Sequence, residues 1–400
     1  MEQRIIPKKL RGTVTVPPSK SQAHRAVIAA CLAGGITEVT NIAFSQDILA
    51  TTQAMVAFGA TVKVNGSTLT VSGAFPEPEE NAVIDCSESG STLRFLIPLA
   101  WISGKKTTFT GRGRLMQRPL DPYFALCDSE GIHYERTEQT VSFCGKLKGG
   151  TYRLPGNISS QFITGLLFAL PLLKADSVIE LTTEVESVGY IQMTLDVLKA
   201  FGISVTHDNY QTYHIPGNQS YKPHDITVEC DYSQAAFYLC ANAMGSQVEV
   251  LGLNPESSQG DREIVSIIKR FGSPLSGITI DASQIPDLVP VWAVLSTQAE
   301  GTTIVANAAR LRIKESDRLA TTTDMLRRLG ADITEEEDAL IIRGKTPLTG
   351  GTIDSVNDHR IAMAAAIAAT VASGEVTVLG SECVAKSYGN FWQDYFALQN

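Results

Sequence analysis

Cations and hydroxyls are crowded into short stretches that each stand directly before an apolar run. In "PPSKSQAHRA" the cations Lys20 and Arg25 flank Ser21, and the apolar run "AVIAACLA" begins at the last residue of the stretch. The stretches "ESGSTLRFLIPLA" and "NDHRIAMAAAIAA" repeat this arrangement around Arg94 and Arg360. A cation on an apolar helix needs an anion or several hydrogen-bond partners. The stretches therefore indicate binding of anionic ligands, with a structural salt bridge as the alternative for Arg94.

The stretch "KESDR" combines cations with carboxylates. Lys314 and Arg318 are four residues apart, which predicts that both lie on one face of a helix and repel each other weakly. Glu315 and Asp317 would offset part of that repulsion. A solvated charged face is the usual alternative for such a run, so this stretch decides little by itself.

The polar stretches stand where helices are predicted to begin. Serine, aspartate and asparagine favour the N-cap position, and the free N–H groups of a helix start bind anions. The predicted helix starts are "SKSQAHR" (19–25), "ESGSTLR" (88–94), "RPLD" (118–121), "SSQF" (159–162), "VGY" (188–190), "DYSQ" (231–234), "QGDR" (259–262), "PDL" (286–288), "KESDR" (314–318) and "NDHR" (357–360).

These helices belong to a repeat. An apolar helix, a small break and a strand recur six times at steps of about 70 residues, marked by Gly34, Gly104, Ala175, Gly245, Gly301 and Gly374. A second series, a helix closed by glycine and followed by a strand pair, interleaves with the first. Its glycines are Gly59, Gly131, Gly202, Gly272 and Gly330. One step is short in each series, from Gly245 to Gly301 and from Gly272 to Gly330. The two short steps overlap only between Gly272 and Gly301, which indicates that one repeat has lost about 14 residues there.

The repeat predicts an α/β fold of six βαβαββ units, three in each of two domains. The first domain is expected at 17–228, and the second at 1–16 plus 229–400, with one repeat shortened after Gly272. We expect the N-terminal strand "GTVTV" (12–16) to complete the last repeat. A generic α/β protein with chance periodicity is the alternative, and the lack of a GxGxxG motif between a strand and a helix disfavours a Rossmann fold.

Composition excludes several classes of protein. The chain has 400 residues and a net charge of −9, which argues against a general nucleic-acid binder. The longest apolar run, "FITGLLFALPLL", is too short to cross a bilayer, and the first ten residues lack the apolar core of a signal peptide. Seven cysteines without a CxxC pair predict neither disulfides nor a zinc site, and Cys31, Cys127 and Cys240 are expected in the core. We expect a cytoplasmic monomer without nucleic-acid or membrane partners.

Eight of the motifs, taken in order, resemble one family. They are "PPSKSQAHRA", "SGSTLR", "GRLMQRPL", "SSQF", "PDLVP", "RIKESDRL", "NDHR" and "AKSY", and together they are similar to 5-enolpyruvylshikimate-3-phosphate (EPSP) synthases, which are enolpyruvyl transferases. The resemblance implies a two-domain inside-out α/β barrel that closes around its substrates. It implies transfer of the enolpyruvyl group of phosphoenolpyruvate to the 5-hydroxyl of shikimate 3-phosphate, through a tetrahedral intermediate that then loses phosphate. That reaction serves chorismate and aromatic amino acid biosynthesis, and it implies no cofactor and no metal.

The resemblance also implies roles for individual residues. The shikimate 3-phosphate site would comprise Lys20, Ser21, Arg25, Ser159, Ser160, Gln161, Ser187, Tyr190, Asp287 and Lys314. The phosphoenolpyruvate site would comprise Lys20, Gly90, Arg114, Gln161, Arg318, Arg360 and Lys386, with Arg112 as the competing choice for Arg114. Asp287 would take the proton of the 5-hydroxyl, Glu315 would transfer a proton at the methylene carbon, and Lys20 would assist the leaving phosphate.

Three residues depart from patterns common in the family. Glu88 stands where many members have asparagine, Phe95 where some have proline, and Arg310 where some have an asparagine that contacts the shikimate moiety. His24 is expected to be an exposed helix residue without a role in the site. For His359, lining the site and lying outside it are equally expected.

Two other functions compete with this interpretation. A sister enzyme transfers enolpyruvyl to UDP-N-acetylglucosamine, but it carries a reactive cysteine in the loop that corresponds to "GRGRLMQRP", where this chain has none. A non-catalytic anion-binding relative is the second rival. The joint presence of Lys20, Asp287, Glu315 and Arg318 argues against it.

Overall fold

Serine and aspartate mark the helix starts in the computed structural model, which describes residues 1–399. Ser19, Ser89 and Ser159 each accept a hydrogen bond from a backbone N–H of the turn that follows, and Asp231 and Asp358 do the same. Each cap satisfies a donor that the helix itself leaves free. The polar stretches quoted above therefore do stand at helix starts.

Helices and strands alternate along the chain. The α-helices are α1 (Lys20–Leu32), α2 (Gln46–Ala57), α3 (Gly90–Ser103), α4 (Asp121–Glu130), α5 (Ser160–Ala169), α6 (Val188–Ala200), α7 (Tyr232–Ala243), α8 (Ile264–Phe271), α9 (Val289–Ser296), α10 (Arg318–Arg328), α11 (His359–Ala369) and α12 (Phe391–Ala397). Short 3-10 helices are Leu115–Gln117, Leu170–Leu172, Gly260–Glu263, Pro286–Leu288, Ala309–Ile313 and Ser381–Lys386. The strands are β1 (Glu2–Ile5), β2 (Arg11–Thr15), β3 (Ile36–Thr40), β4 (Thr61–Asn65), β5 (Thr68–Ser72), β6 (Ala82–Asp85), β7 (Thr107–Thr110), β8 (His133–Arg136), β9 (Thr140–Cys144), β10 (Thr151–Leu154), β11 (Ser177–Leu181), β12 (Thr206–Asp208), β13 (Thr212–Ile215), β14 (Ile226–Thr227), β15 (Gln247–Leu251), β16 (Thr279–Asp281), β17 (Gly301–Ala306), β18 (Asp332–Glu335), β19 (Leu340–Gly344), β20 (Gly351–Asp354) and β21 (Val376–Leu379).

The chain divides into two compact units, residues 18–229 and residues 1–17 with 230–400. The unit 18–229 holds three four-stranded sheets with the orders β14-β3-β5-β4, β6-β7-β9-β8 and β10-β11-β13-β12. In each sheet the first two strands are parallel, and a hairpin adds the last two in antiparallel pairing. This is the predicted βαβαββ unit, three times over.

The other unit carries the same pattern with pieces from the chain's start. Its sheet β16-β17-β19-β18 is complete, whereas β20 and β21 pair in parallel and β1 joins β21 in antiparallel pairing, Ile5 opposite Val376. The expectation that residues 12–16 complete the last repeat is therefore wrong. β1 takes that place, and β2 instead pairs in parallel with β15 of the fourth repeat, Val14 opposite Val250. Both strands are short, and the buried Ile5 and Val14 each put an apolar side chain into the core.

The fourth repeat is the shortened one. α8 ends at Phe271 and the next strand begins at Thr279, with no strand between them. The two-stranded sheet β15-β2 consequently has no hairpin. The side-chain amide of Asn242 occupies part of the open edge of β15, donating to Val248 O at 2.7 Å and accepting from Val248 N at 2.8 Å. The predicted loss after Gly272 is confirmed.

Each unit has its own apolar core. α11 is buried along its whole length and α3 along nearly all of it, as expected for helices that are apolar on every side. Cys31, Cys127 and Cys240 are buried, as predicted. No helix among residues 1–399 is long and apolar enough to cross a membrane. In the same residues, no group of three or more histidine, cysteine and acidic side chains could hold a metal ion.

Candidate active site

Arg25 is a buried cation with neutral partners. It lies in the second turn of α1 and is 2% exposed. Its Nε donates to Thr194 Oγ1 at 2.8 Å, its Nη1 to Ser21 O at 2.6 Å and its Nη2 to Tyr190 O at 2.8 Å. No carboxylate between residues 1 and 399 forms an ion pair with it. Burial lowers the pKa of Arg25 to about 9, an effect that Tyr190 partly opposes. A bound anion would supply the countercharge that this guanidinium lacks.

Lys20 opens α1 and has an internal partner. Its Nζ donates to Asp47 Oδ2 at 2.7 Å, and Asp47 is 8% exposed. Sequence reasoning did not include Asp47, which lies in the first turn of α2. The pair fixes the ammonium group close to the helix start.

Gln161 links the starts of α3 and α5. Its Oε1 accepts from Arg94 Nη1 at 2.8 Å, and its Nε2 donates to Ser91 Oγ at 3.1 Å. Arg94 also donates to Pro119 O at 3.0 Å. Gly90, at the first position of α3, lies against Gln161, because a Cβ at Gly90 would stand 3.4 Å from Gln161 Oε1.

The same position brings in an arginine that sequence reasoning passed over. A Cβ at Gly90 would lie 2.8 Å from Arg118 Nη1, and Arg118 is half-buried. Arg114 and Arg112 are both exposed. Arg112 pairs with Asp85 at 2.9 Å. The structure therefore brings Arg118 to Gly90, beside Gln161, whereas the expected Arg114 and its competitor Arg112 are exposed.

Three serines lie at the starts of α5 and α6. Ser159 caps α5 by accepting from Gln161 N, and Ser160 follows it, buried. Ser187 precedes α6 and is 2% exposed. Its φ of 59° lies in the left-handed region, which is unusual for a residue other than glycine and is often found at functional sites. Tyr190, in the first turn of α6, is half-buried beside Arg25.

Asp287 is the centre of the cluster in the other unit. Its Oδ1 accepts from Arg318 Nη1 at 2.9 Å and from Lys314 Nζ at 3.4 Å, and its Oδ2 accepts from Arg360 Nη2 at 2.8 Å. Burial alone would raise the pKa of Asp287. Arg360, followed by Lys314 and Arg318, outweighs that effect and holds the pKa well below its usual value.

Asp358 holds Arg318 from the opposite side. Arg318, 1% exposed, donates from Nε to Asp358 Oδ2 at 2.8 Å and from Nη2 to Glu315 Oε2 at 2.7 Å. Asp358 is fully buried and also accepts from Ser316 Oγ at 2.9 Å. Burial opposes the charge on Asp358, but Arg318 lowers its pKa. Sequence reasoning quoted Asp358 only as part of a helix start. The predicted position of Asp358 at a helix N-cap was the only signal in the sequence, which does not show its ion pair with Arg318.

The stretch "KESDR" is not a continuous helix. α10 begins at Arg318, and Lys314 lies in extended conformation just after a 3-10 helix. The expectation that Lys314 and Arg318 share a helix face is therefore wrong. The two cations meet because both contact Asp287. Lys386, 7% exposed, donates to Asn357 O at 2.8 Å, in the loop that leads to α11.

Four further residues complete the comparison with expectation. His24 is buried at 1% exposure, so its expected position on an exposed surface is wrong. His359 is also buried. The carboxylate of Glu88 lies against the loop at Gly113, where a Cβ would stand 3.0 Å from Glu88 Oε2. Arg310 donates to Ser283 O at 2.6 Å.

Known proteins are similar to this chain over nearly its whole length. The family described as EPSP synthase (3-phosphoshikimate 1-carboxyvinyltransferase) matches residues 5–395. A protein of Clostridium perfringens named 3-phosphoshikimate 1-carboxyvinyltransferase is 48% identical over 412 residues, which cover 98% of this chain and 97% of its own. A protein of the same name from Clostridioides difficile is 46% identical, with 98% of this chain and 96% of its own covered.

Solved structures give the same result. An EPSP synthase from Acinetobacter baumannii superposes with a TM-score of 0.83 at 27% identity, over 100% of this chain and 98% of its own. The enolpyruvyl transferase NikO from Streptomyces tendae reaches a TM-score of 0.81 at 18% identity, over 99% of this chain and 96% of its own, and so shares the fold. From the match over residues 5–395 and the identity to its relatives, this chain belongs to the EPSP synthase family.

Proposed function

We propose that this protein transfers the enolpyruvyl group of phosphoenolpyruvate to the 5-hydroxyl of shikimate 3-phosphate and releases phosphate. The observation that carries the proposal is the cluster in which one carboxylate, Asp287, contacts Lys314, Arg318 and Arg360. Such a cluster offers both a base and a receptor for a polyanion. The family and the names of its relatives supply the substrates. We also propose that the two compact units are the two domains of three repeats expected from the sequence.

Shikimate 3-phosphate is assigned mainly to the helix starts of the unit 18–229. The buried Arg25 would receive one of its anionic groups, and the serines at the starts of α5 and α6 would receive another, since hydroxyls and free backbone N–H groups bind phosphate at helix N-termini. The residues assigned there are Lys20, Ser21, Arg25, Ser159, Ser160, Gln161, Ser187 and Tyr190. The family resemblance also assigns Asp287 and Lys314 to this substrate.

Phosphoenolpyruvate is assigned to the remaining cations. We place Arg118 in this set instead of Arg114, because Arg118 lies beside Gly90 and Gln161 whereas Arg114 is exposed. The residues assigned are Lys20, Gly90, Arg118, Gln161, Arg318, Arg360 and Lys386. The two substrates together carry roughly −5 to −6 when each phosphate is nearly doubly ionised, which so many cations can match.

The depressed pKa of Asp287 has a mechanistic consequence. A carboxylate held by three cations is a weak base. Substrate phosphate and carboxylate groups would compete for Arg360, Lys314 and Arg318, and each cation they draw away makes Asp287 more basic. Binding of both substrates would thus raise the basicity of Asp287 where the 5-hydroxyl proton must be removed.

The proton transfers then balance. Asp287 takes the proton of the 5-hydroxyl as its oxygen forms a bond to C2 of phosphoenolpyruvate, while Glu315 gives a proton to the methylene carbon. The tetrahedral adduct next loses phosphate, which takes a proton from the ammonium of Lys20, and the ionised Glu315 removes a proton from the new methyl group. The proton held by Asp287 returns to Lys20 through solvent, so that all three groups regain their starting protonation states. General acid–base help of this kind contributes about 10²–10⁴-fold, and positioning by the cations supplies the rest.

Release of phosphate from phosphoenolpyruvate tests the function. We expect release with shikimate 3-phosphate and none with UDP-N-acetylglucosamine, because residues 111–119 contain no cysteine. Freshly purified, folded protein that releases no phosphate with shikimate 3-phosphate would sink the proposal. Release with UDP-N-acetylglucosamine alone would favour the sister reaction.

A further inference from the structure

A chain of side-chain hydrogen bonds crosses the interior of the unit 18–229 from α1 to the start of α3. His24 Nδ1 lies 2.7 Å from Thr51 Oγ1, and Thr51 Oγ1 lies 2.6 Å from Thr92 Oγ1. Thr92 Oγ1 in turn lies 2.7 Å from Ser89 Oγ. All four residues are at most 1% exposed. The chain is therefore shielded from water throughout.

The hydrogen bonds run in one direction. Thr92 donates its hydroxyl proton to Ser89 Oγ. A hydroxyl has only one proton, so the bond between Thr51 and Thr92 must use the proton of Thr51. Thr51 can then only accept from His24, and His24 must carry its proton on Nδ1. The direction thus fixes the tautomer of the imidazole.

The surroundings of His24 agree with that tautomer. Burial lowers the pKa of His24 to about 3, so the ring is neutral. Asp47 opposes this shift, and Lys20 and Arg25 add to it. Nε2 has no hydrogen-bond partner between residues 1 and 399. The ring stands edge-on to Phe95, with centroids 6.5 Å apart. A buried acceptor without a partner is tolerated more often than a buried donor, which again places the proton on Nδ1.

Ser89 ends the chain next to the proposed phosphoenolpyruvate site. Its Oγ accepts from both Thr92 Oγ1 and Thr92 N, the latter at 3.1 Å. Its own hydroxyl proton has no acceptor among the described residues. Ser89 precedes Gly90, where Arg118 and Gln161 approach. The chain thus leaves one oriented donor beside these groups.

We propose that His24 is a positioning residue: through Thr51 and Thr92 it directs the Ser89 hydroxyl and the first turn of α3 toward the anion bound at Gly90. The inference rests on the proposed function, because phosphoenolpyruvate is the anion assigned to Gly90. His24 itself touches no substrate. It acts by deciding which way three hydroxyl groups point.

Thr51→Val tests the proposal by cutting the chain without changing the size of the side chain. We expect the KM for phosphoenolpyruvate to rise about 5- to 10-fold, the scale of one hydrogen bond, while the KM for shikimate 3-phosphate changes less than about 2-fold. Thr51→Ser keeps the hydroxyl and should restore the wild-type value. Thr37→Val is the matched control, because Thr37 is equally buried in the same unit and its hydroxyl has no hydrogen-bond partner within residues 1–399.

Nitrogen-15 NMR of the histidine rings supplies a readout that does not need turnover. We expect His24, assigned by comparison with His24→Asn, to be neutral at pH 7 with its proton on Nδ1. A proton on Nε2, or on both nitrogens, would overturn the inference even in a fully active enzyme. So would equal effects of Thr51→Val and Thr37→Val, or equal rises in both KM values. Protein that shows the Nδ1 tautomer but no phosphate release would contradict the proposed function instead.

Discussion

Two deeply buried arginines, one in each unit, have opposite kinds of partner. Arg318 is surrounded by the carboxylates of Asp287, Glu315 and Asp358 at 2.7–2.9 Å. Arg25 is as deeply buried, yet its partners are two carbonyl oxygens and one hydroxyl. One guanidinium already has its countercharges, and the other does not.

This difference predicts two modes of anion binding. An anion at Arg25 adds a countercharge where only neutral groups are present, so it stabilises a cation that burial disfavours. An anion at Arg318 must instead compete with carboxylates. The favourable energy of its contact with Arg318 is offset by the contact that Asp287 loses. The first arrangement favours affinity. The second couples binding to the basicity of Asp287.

The largest expected effect is on turnover. Asp287→Asn removes the proposed base but keeps its shape, and we expect phosphate release to slow by about 10²–10⁴-fold. Asp281→Asn is the control, because Asp281 is an exposed carboxylate on β16 that accepts from Ser283 N at 2.8 Å. Stopped-flow or steady-state phosphate release measures both variants. If Asp287→Asn stays within about 10-fold of the wild type, Asp287 is not the base.

The next effect is on stability. Arg318→Met leaves the fully buried Asp358 without its guanidinium, and breaking a buried pair in this way should lower the free energy of unfolding by about 3–5 kcal/mol. Urea unfolding followed by circular dichroism measures it. Adding Asp358→Asn in the double variant should recover part of the loss, because the orphaned charge is gone. A loss below about 1 kcal/mol for Arg318→Met would show that the carboxylates do not depend on it.

Arg25→Met should give the converse result. Removing a buried cation that has no countercharge is expected to change the free energy of unfolding by less than about 1 kcal/mol. Affinity for shikimate 3-phosphate should fall about 10-fold or more, the worth of a charged hydrogen bond. Calorimetric titration and urea unfolding on the same samples separate the two quantities. A large loss of stability with unchanged affinity would reverse the comparison between Arg25 and Arg318.

The repeat could be predicted from sequence because its signals are local. Glycine steps and polar helix starts recur at a fixed distance, so the six units and the shortened one after Gly272 follow from spacing. The exchange of β1 and β2 could not be predicted. Both are short strands near the chain's start, and only pairing with β21 and β15, hundreds of residues away, decides their places.

The candidate site was predictable to the extent that its residues stand in motifs. Lys20, Arg25 and Asp287 follow from motifs at helix starts. Arg118 and Arg114 lie in one irregular loop, where no periodicity indicates which side chain turns inward. Asp358 was visible only as a cap, because its partner comes from another repeat.

A further expected effect, the pH dependence of stability, distinguishes the two units. His24 is neutral in the fold, with its pKa lowered from 6.5 to about 3, so the unfolded chain takes up a proton first as the pH falls. Stability should therefore decline between pH 6.5 and 3, by at most about 1.4 kcal/mol per pH unit, and not above pH 6.5. Asp287 and Asp358 have lowered pKa values, so their contribution is lost only below about pH 4.

His24→Asn isolates the first of these windows. Asparagine does not titrate, so urea unfolding at pH 7, 6 and 5 should give a flatter pH dependence for the variant than for the wild type. The wild type and variant share every other histidine, and the difference between their slopes belongs to His24 alone. Parallel slopes would mean that the imidazole takes up a proton in the fold as readily as in the unfolded chain. That would also contradict the hydrogen-bond direction from His24 to Ser89, since a doubly protonated ring leaves a buried N–H at Nε2 without an acceptor.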